Sequence, residues 1–270
     1  MVWGGLFRAL GGRVLLIDLH VHTSFSDDFD IELPDVVARC REQGIGAILL
    51  AECDTVPDPA EVKKVAQDLG YRIFLGVEVN ADDGRVIAVP PDPADERFLD
   101  QTWFRKDGSV RVVDVINVMR ELDGAVIAAH PYLDDDGPYL GDRIYRIDGL
   151  AAIEVACGVP KHMPNDLALE AAATMGLPTV GGSDSGPEGQ RLGAYATAFA
   201  QDVTSQEELV DALNNGAYWA VAMSRPRRGE GGGGHRGGGG GGGGRGGGGG
   251  GRGGGGGGRG GGGGGRGGHR

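Results

Sequence analysis

The amino-acid sequence predicts one α/β domain, built as a closed or nearly closed barrel of parallel strands and helices. Between residues 14 and 224, short apolar runs rich in branched residues alternate with amphipathic segments of helical length. This alternation is typical of parallel strands joined by right-handed helical crossovers. About seven strands within roughly 210 residues favour a barrel, although the pattern alone is also compatible with an open, doubly wound sheet.

The first strand and helix show the signals that define the other elements. Residues 13–19, RVLLIDL, form a continuous apolar run that predicts a buried strand. Residues 34–44, PDVVARCREQG, predict a helix, because proline suits its first turn and glycine its end. By the same criteria, further strands are predicted at 46–51, 72–79, 125–129, 150–156, 177–182, 194–200 and 217–223, and further helices at 60–70, 111–124, 165–176 and 205–216.

Polar residues with metal-binding or catalytic side chains lie at the ends of six predicted strands. Because the carboxyl ends of parallel barrel strands share one face, we expect these residues to converge where barrel enzymes have their active sites. In chain order they are His20 and His22; Glu52, Cys53 and Asp54; Glu78; His130; Glu154 and Cys157; and Ser183 and Asp184.

The pair His20 and His22 is a candidate for metal binding. Alternate residues of an extended chain project to the same side, so both imidazoles can reach one ion while Val21 points away. An H-x-H pair alone is a weak signal, because two polar residues at a strand end need no ligand. Together with Glu78 and Asp184 at other strand ends, the pair predicts a metal centre.

The charge distribution separates an acidic body from a basic tail. The formal net charge is −12, yet residues 225–270 hold nine arginines and one glutamate, so residues 1–224 are more acidic than the total suggests. An acidic body argues against passive wrapping of nucleic acid. It is compatible with carboxylates that bind divalent cations.

The tail, residues 225–270, is predicted to be disordered because it consists mainly of glycine. Its arginines recur every seven residues from 245 to 266, but glycine disfavours helix and supplies no apolar seam, which excludes a coiled coil. The tail resembles arginine-glycine segments that hold RNA by phosphate contacts and arginine stacking, although it contains no aromatic residue. A repeat without selected function is the alternative.

The cysteine content and the first residues favour a cytoplasmic protein. Cys40, Cys53 and Cys157 show no pairing pattern, which favours a reducing compartment over a disulfide framework. Residues 1–13, taken as an N-terminal extension, lack the continuous apolar run of a signal peptide or a membrane span. We therefore expect no membrane partner.

Seven segments together resemble the PHP (polymerase and histidinol phosphatase) domain family. They run in the family's order from residue 17 to about residue 222: DLHVHTSFSD, AECDT, GVEVN, AAHPY, AIEVACG, NDLALEAAATMGLPTVGGSDSG and LGAYATAF. The resemblance implies a distorted (β/α)7 barrel, similar to a TIM barrel, over residues 14–224. It also implies hydrolysis of phosphoesters with two or three divalent metals.

The resemblance implies roles for particular residues. His20, His22, Glu78 and Asp184 would hold one metal, and Glu78 would bridge to a second metal held by His130. The metal would be manganese, zinc, iron or magnesium. If only the first metal binds, Asp184 would orient a water and His130 would act as the acid for the leaving group.

Asp54 and Glu154 are expected to support these ligands from behind, through hydrogen bonds that orient them. Substrate-binding residues are not defined by the sequence. Four basic residues on later loops are candidates for gripping a phosphate, with ordinary surface charge as the alternative. They are Arg143, Arg146, Lys161 and Arg191.

A third metal site of the family is depleted in this chain. In the family an aspartate matching Asp27 and two histidines hold the third metal, but Cys53 and Gly186 stand at the histidine positions. Asp27 and Cys53 would form a weak site at best, because manganese and magnesium prefer oxygen ligands. We therefore expect one or two metals. There are two alternatives to this weak site. Cys53 could be a small buried hydrophobic residue, or Cys157 or His162 could replace the missing ligands.

Three functions fit these observations. The first is a metal-dependent phosphoesterase that hydrolyses a small phosphorylated metabolite or nucleotide. The second is a catalytically weakened PHP-like module that binds a metal or a ligand, as the two missing histidines suggest. The third is a nuclease directed to RNA by the Gly/Arg tail.

Overall fold

The computed structural model describes residues 14–104, 109–135, 137–158 and 162–223. The predictions for residues 1–13 and for the tail, 225–270, lie outside these residues. Within them, one mixed sheet curls into a nearly closed barrel, which confirms the predicted fold class. Its strands are β1 Leu15–Val21, β2 Ala47–Cys53, β3 Arg72–Ala81, β4 Gly84–Val89, β5 Ala125–Ala128, β6 Ala152–Cys157, β7 Thr179–Gly182, β8 Tyr195–Phe199 and β9 Tyr218–Ala222.

The helix Pro59–Leu69 begins and ends at conventional capping residues. Asp58 accepts a hydrogen bond from the backbone N–H of Ala60, and Gly70, with a φ of 57°, ends the same helix. The helices are α1 Leu33–Glu42, α2 Pro59–Leu69, α3 Glu96–Leu99, α4 Val112–Glu121, α5 His162–Met175 and α6 Gln206–Asn215, with 3₁₀ turns at Gln101–Trp103 and Gly141–Arg146. The short helix α3 and both 3₁₀ turns were not predicted from the sequence.

The strand order is β7-β6-β5-β4-β3-β2-β1-β8-β9. Strands β1, β2 and β3 pair in parallel, and so do β5, β6 and β7. Strand β4 lies antiparallel between β3 and β5, so β3 and β5 run in the same direction. Six strands therefore direct their carboxyl ends to one face of the barrel.

The expectation of parallel pairing throughout was wrong for three strands. Strand β4, missed in the sequence, follows β3 through a two-residue turn, Asp82–Asp83, and so returns antiparallel without a crossover helix. Strands β8 and β9 are also antiparallel, to β1 and to each other. The helix between them, α6, packs in the core cluster of the barrel interior rather than serving as a crossover.

Two contacts close the barrel: strand β7 lies beside β1, and helix α6 covers the amino ends of the strands. Strand β7 returns beside β1, where the N–H of Asp184 donates to the carbonyl of His20 at 2.8 Å. Leu209 and Leu213 of α6 pack against Phe199 in the barrel interior. The Gln206 amide donates to the carbonyl of Leu75 at 2.6 Å, near the amino end of β3. Helix α6 therefore covers the amino ends of the strands and leaves the carboxyl ends accessible.

Among the described residues, no helix combines the length and the apolar character needed to cross a bilayer.

Candidate metal centre

Three side chains from two distant strands meet at the carboxyl face of the barrel. His20 lies in β1 and His22 follows it, and their Nε2 atoms are 3.0 Å apart. The carboxylate of Glu78, near the end of β3, lies 3.5 Å from His20 Nε2 and 3.6 Å from His22 Nε2. The alternation expected of β1 therefore turns both imidazoles towards the same carboxylate.

His130 and Asp184 complete the predicted set of ligands. His130 Nε2 lies 3.1 Å from Glu78 Oε1, and Asp184 Oδ1 lies 3.7 Å from His22 Nε2. All five side chains belong to buried residues. Their donor atoms form overlapping groups of three within 4.8 Å of one another. The structure thus brings together every ligand assigned to the first two metals.

Three residues of this region have a backbone conformation that favours glycine. The φ angles are 24° for His130, 44° for Asp184 and 46° for Asp54. Each such conformation costs about 1–3 kcal/mol and persists where the surrounding structure enforces it, commonly at functional sites. The strand ends are therefore bent so that His130 and Asp184 turn into the cluster.

Glu154 supports two of the ligands from behind. Its carboxylate accepts from His20 Nδ1 at 3.1 Å and from the backbone N–H of His130 at 2.9 Å. A histidine that donates one ring N–H to a carboxylate presents the other nitrogen in a defined orientation. His20 Nε2 is consequently directed at Glu78.

Asp54 supports the cluster through the backbone. Its N–H donates to the carbonyl of Glu78 at 2.9 Å, and its carboxylate accepts from the backbone and side-chain amides of Asn80. It therefore ties the end of β2 to β3 on both sides of Glu78 without contacting a ligand side chain.

The cluster is strongly coupled in charge. Burial lowers the pKa of His20, but the carboxylates of Glu154 and Glu78 outweigh it and hold that pKa well above its usual value. Burial raises the pKa of Glu78, yet His20 and His130 hold it well below the ordinary range. For His22, burial and the neighbouring charge of His20 lower the pKa to about 3. His22 is thus a neutral imidazole, the form that binds metals.

Two buried atoms of the cluster lack a hydrogen-bond partner in the described part of the chain: Glu78 Oε1 and His130 Nδ1. Glu78 Oε1 is close to His130 Nε2 but lacks the alignment of a hydrogen bond. Buried polar atoms left unsatisfied are costly, and a cation among three imidazoles and two carboxylates would supply the missing partner of Glu78 Oε1. The donor set fits a borderline divalent metal, because imidazole suits zinc and iron and carboxylate suits manganese and magnesium.

Metal affinity is expected to rise with pH. A metal must displace protons from His20 and His130; for His130, burial opposes the charged form but Glu78 outweighs it, so both pKa values are raised. The affinity should increase about tenfold per pH unit for each displaced proton. Calorimetric titration with zinc in two buffers of different ionisation enthalpy measures the proton release, and an affinity independent of pH above 6.5 would contradict it.

The raised pKa values of His20 and His130 also determine how the stability of the metal-free protein changes with pH. Raised histidine pKa values stabilise the metal-free fold below about pH 6.5, and this contribution is lost as the pH rises through the folded-state values. Chelator-treated protein should therefore melt at lower temperature as the pH rises, while metal-loaded protein should not follow that trend.

The residues of the predicted third site are not brought together. Asp27 is exposed and is not among the residues that line the cavity above the cluster, whereas the adjacent Asp28 is. Gly186 supplies no side chain. The Cys53 thiol instead lies 3.3 Å from Glu78 Oε2 and 3.7 Å from His22 Nδ1. Burial and the charge of Glu78 raise the pKa of Cys53 far above its usual value.

Cys157 lies on the other side of the cluster, where its thiol donates to Asp184 Oδ2 at 3.5 Å. It is fully buried at the end of β6. The side chain of His162, the other substitute considered, lies outside the described residues. Cys157 therefore contacts Asp184, whereas Cys53 contacts Glu78 and His22.

A cavity of about 470 Å³ lies above the cluster and carries two arginines on its walls. Arg191, a candidate from the sequence, donates Nε to the carbonyl of Asp184 at 2.7 Å and places Nη2 3.2 Å from its Oδ1. Arg85, from β4, pairs with Asp135. Arg143 and Arg146 are exposed and do not line this cavity, and Lys161 lies outside the described residues.

Sequence reasoning missed Arg85 and the support given by Asp18. Asp18 is fully buried in β1, where it accepts from the N–H of Ser183 at 2.8 Å and from its hydroxyl. Burial, only partly offset by these hydrogen bonds, raises the pKa of Asp18 to about 7. An acid inside an apolar strand, two residues before His20, was the available signal. For Arg85, the available signal was the apolar run GRVIAV after the acidic turn, which indicates a further strand that carries this arginine.

Models of two protein families match the chain in order. The PHP domain matches residues 18–130, and the PHP-associated family matches residues 162–218. An uncharacterized protein of Methanocaldococcus jannaschii is 27% identical over 148 residues, which cover 51% of this chain and 79% of the relative.

Three solved structures share the fold at low sequence identity. A Bifidobacterium adolescentis protein to which metal-dependent phosphoesterase activity is attributed has a TM-score of 0.52 and 18% identity over 73% of this chain and 96% of its own. PsfC of Pseudomonas syringae has a TM-score of 0.57 and 15% identity, covering 78% and 93%. An amidohydrolase of Chromobacterium violaceum has a TM-score of 0.53 and 18% identity, covering 76% and 97%.

The two family models together span more than half of the 270 residues, and their order agrees with the order of the strands that carry the cluster. The chain therefore carries a PHP domain over residues 18–130, followed by the PHP-associated region over residues 162–218.

Proposed function

We propose that this protein is a metal-dependent phosphoesterase that hydrolyses a small phosphorylated metabolite or nucleotide. The observation that carries the proposal is the cluster of His20, His22, Glu78, His130 and Asp184 at the base of a cavity with arginines on its walls. Metal ligands next to guanidinium groups suit a phosphate ester, whose oxygens carry negative charge.

Each residue of the cluster has a role in this proposal. His20, His22, Glu78 and Asp184 would hold one divalent metal, and Glu78 with His130 would hold a second. Bound metals would supply an activated water and stabilise charge on the phosphoryl group.

The protein's own groups would move the protons if the first site alone is occupied. Burial raises the pKa of Asp184, which suits a carboxylate that accepts a proton from water. His130, whose Nδ1 has no hydrogen-bond partner among the described residues, would donate a proton to the leaving oxygen.

The walls of the cavity support a small substrate rather than a polymer. Arg85 and Arg191 offer positive charge close to the cluster, whereas Asp28 and Asp134 line the same cavity. The acids would repel a long polyanion, and the volume of about 470 Å³ suits a molecule the size of a metabolite or mononucleotide.

The test begins with the metal content of the purified full chain. Rates with an aryl phosphate monoester and diester are then measured with added manganese, zinc or magnesium. Hydrolysis that depends on metal and is removed by chelation supports the proposal. No bound metal together with no rate above the blank would contradict it and favour the alternative of a binding module.

The alternative of an RNA-directed nuclease has its own experiment. Removal of residues 225–270 should weaken RNA binding in a salt-dependent way if the tail directs the protein to RNA. Unchanged RNA binding would remove this alternative and leave the small-molecule phosphoesterase.

Arg85 is expected to bind the phosphate of the substrate. Arg85→Met should raise KM for the phosphate ester about 10- to 100-fold, because a charge-assisted hydrogen bond contributes about 1.5–3 kcal/mol. Steady-state kinetics of the metal-loaded enzyme measures the change, and Arg85→Lys should recover part of it. The control is Arg97→Met, in an exposed pair with Asp95, which should leave KM unchanged; equal effects of both variants would contradict the assignment.

A further inference from the structure

The position of Cys53 differs from that of an ordinary core thiol. It ends β2 at the carboxyl face, is half-buried, and lines the cavity above the cluster. Its Sγ lies 3.3 Å from Glu78 Oε2 and 3.7 Å from His22 Nδ1. By contrast, Cys40 is fully buried in α1 among aliphatic side chains.

The distances from the Cys53 thiol to the other two side chains match those between ligands around one tetrahedral ion. Zinc binds sulfur at about 2.3 Å and nitrogen or oxygen at about 2.0–2.2 Å, which separates neighbouring ligand atoms by roughly 3.5 Å. The separations of 3.3 and 3.7 Å around Sγ bracket this value. The three donor atoms also lie within 4.8 Å of one another as a group.

Within the described chain, His22 and Glu78 complete the group of possible metal ligands that contains Cys53. Asp27 is exposed and outside the cavity lining, and position 186 carries no side chain. A second feature of Glu78 points to a cation: its other oxygen, Oε1, is buried without a hydrogen-bond partner among the described residues. Glu78 can therefore serve a cation through Oε1 and the thiol-side cation through Oε2.

We propose that Cys53, His22 and Glu78 form a sulfur-containing cation site that favours zinc or cobalt over manganese and magnesium. A soft thiolate selects such metals, whereas manganese and magnesium prefer all-oxygen surroundings. Binding replaces the S–H bond of Cys53 by a sulfur–metal bond, and the thiol proton goes to solvent. Because Nε2 of His22 faces the first-metal ligands and Nδ1 faces the thiol, occupation of both sites at once would also release the ring proton of His22 to solvent. This site rests on the proposed metal centre but does not require that the protein hydrolyse phosphoesters.

Cobalt spectroscopy of the metal-free full chain tests the proposal without measuring activity. Cobalt(II) should produce visible ligand-field bands and, from the thiolate, a charge-transfer band in the near ultraviolet. Cys53→Ser should lose the charge-transfer band while the visible bands remain, because His20, Asp184 and His130 still bind. Its zinc affinity, measured by competition with a chromophoric chelator, should fall about tenfold or more, with manganese affinity nearly unchanged.

Cys157→Ser is the matched control, since that thiol also lies beside the cluster, where it donates to Asp184. It should keep the charge-transfer band, and circular dichroism should verify that both variants are folded. A band that survives Cys53→Ser, or that disappears in Cys157→Ser alone, would overturn the assignment. Visible bands without any charge-transfer band would overturn it as well, with the metal centre intact. The lack of both kinds of band would remove the metal centre itself.

Discussion

Glu78→Gln is expected to abolish metal binding and hydrolysis together. Among the described residues, Glu78 is the one carboxylate within ion-pair distance of all three histidines, His20, His22 and His130, so it is the shared member of the cluster. Glutamine has the same shape but no charge, and it places an amide nitrogen where two imidazole nitrogens converge. The rate should fall at least about a thousandfold, equivalent to about 4 kcal/mol of lost transition-state stabilisation. Metal analysis and steady-state kinetics on the same preparation measure both effects.

The control for this variant is Glu61→Gln, on the exposed side of α2. It makes the same chemical change far from the barrel mouth and should retain metal and activity. If Glu78→Gln kept its metal and its rate while folding normally, the cluster could not be the catalytic centre, whatever the family of the chain.

Gly182→Ala is expected to damage the barrel and the metal centre together. A Cβ at position 182 would lie 2.4 Å from His20 Cβ and 2.7 Å from His20 N, with Glu154 Oε1 at 3.0 Å. The backbone of β1 cannot rotate away from such a contact, so β7 and β1 must separate. Overpacking of this kind costs about 3 kcal/mol, which lowers Tm by roughly 6–12 °C. Because His20 would move, zinc affinity should fall as well.

Gly46→Ala provides the comparison for Gly182. There the added Cβ would meet chiefly the Cδ1 end of Leu15, a flexible side chain that can turn aside. Its cost should stay below about 1 kcal/mol, with metal affinity unchanged. Thermal unfolding of both variants, with and without zinc, measures the difference. Equal melting temperatures for the two variants would contradict the prediction, because they would show that the space between β7 and β1 accommodates a Cβ at position 182.

The fold was predictable wherever local sequence signals agree with the final packing. Strands β1, β2 and β3 and helices α1 and α2 lie within two residues of their predicted bounds, since apolar runs, Pro34 and Gly70 mark them locally. Strand β4 was not predicted, because a run of six residues after an acidic turn carries no mark of its partners. Its antiparallel direction depends on the turn and on the two strands between which it lies.

The positions of the supporting groups depended on three-dimensional structure. The sequence marked Cys53 and Asp27 as one site, but the chain bends so that the thiol lies against Glu78 and His22 and Asp27 lies on the surface. Arg85 became visible only when β4 was placed beside β5, which brings the residue to the cavity wall.

By itself, the sequence predicted alternating strands and helices and the strand ends that carry the clustered residues, because strand periodicity and parallel direction decide which side chains share an end. The resemblance to the PHP family supplied the distorted barrel and the choice of five ligands among those residues. Only the tertiary structure decided which hydrogen bonds orient those side chains, how burial shifts their pKa values, and which other residues contact them. Hydrogen bonds from Glu154, burial of Asp18 and the contact of Cys53 with Glu78 join residues that are distant in the chain, and such contacts leave no local pattern to read.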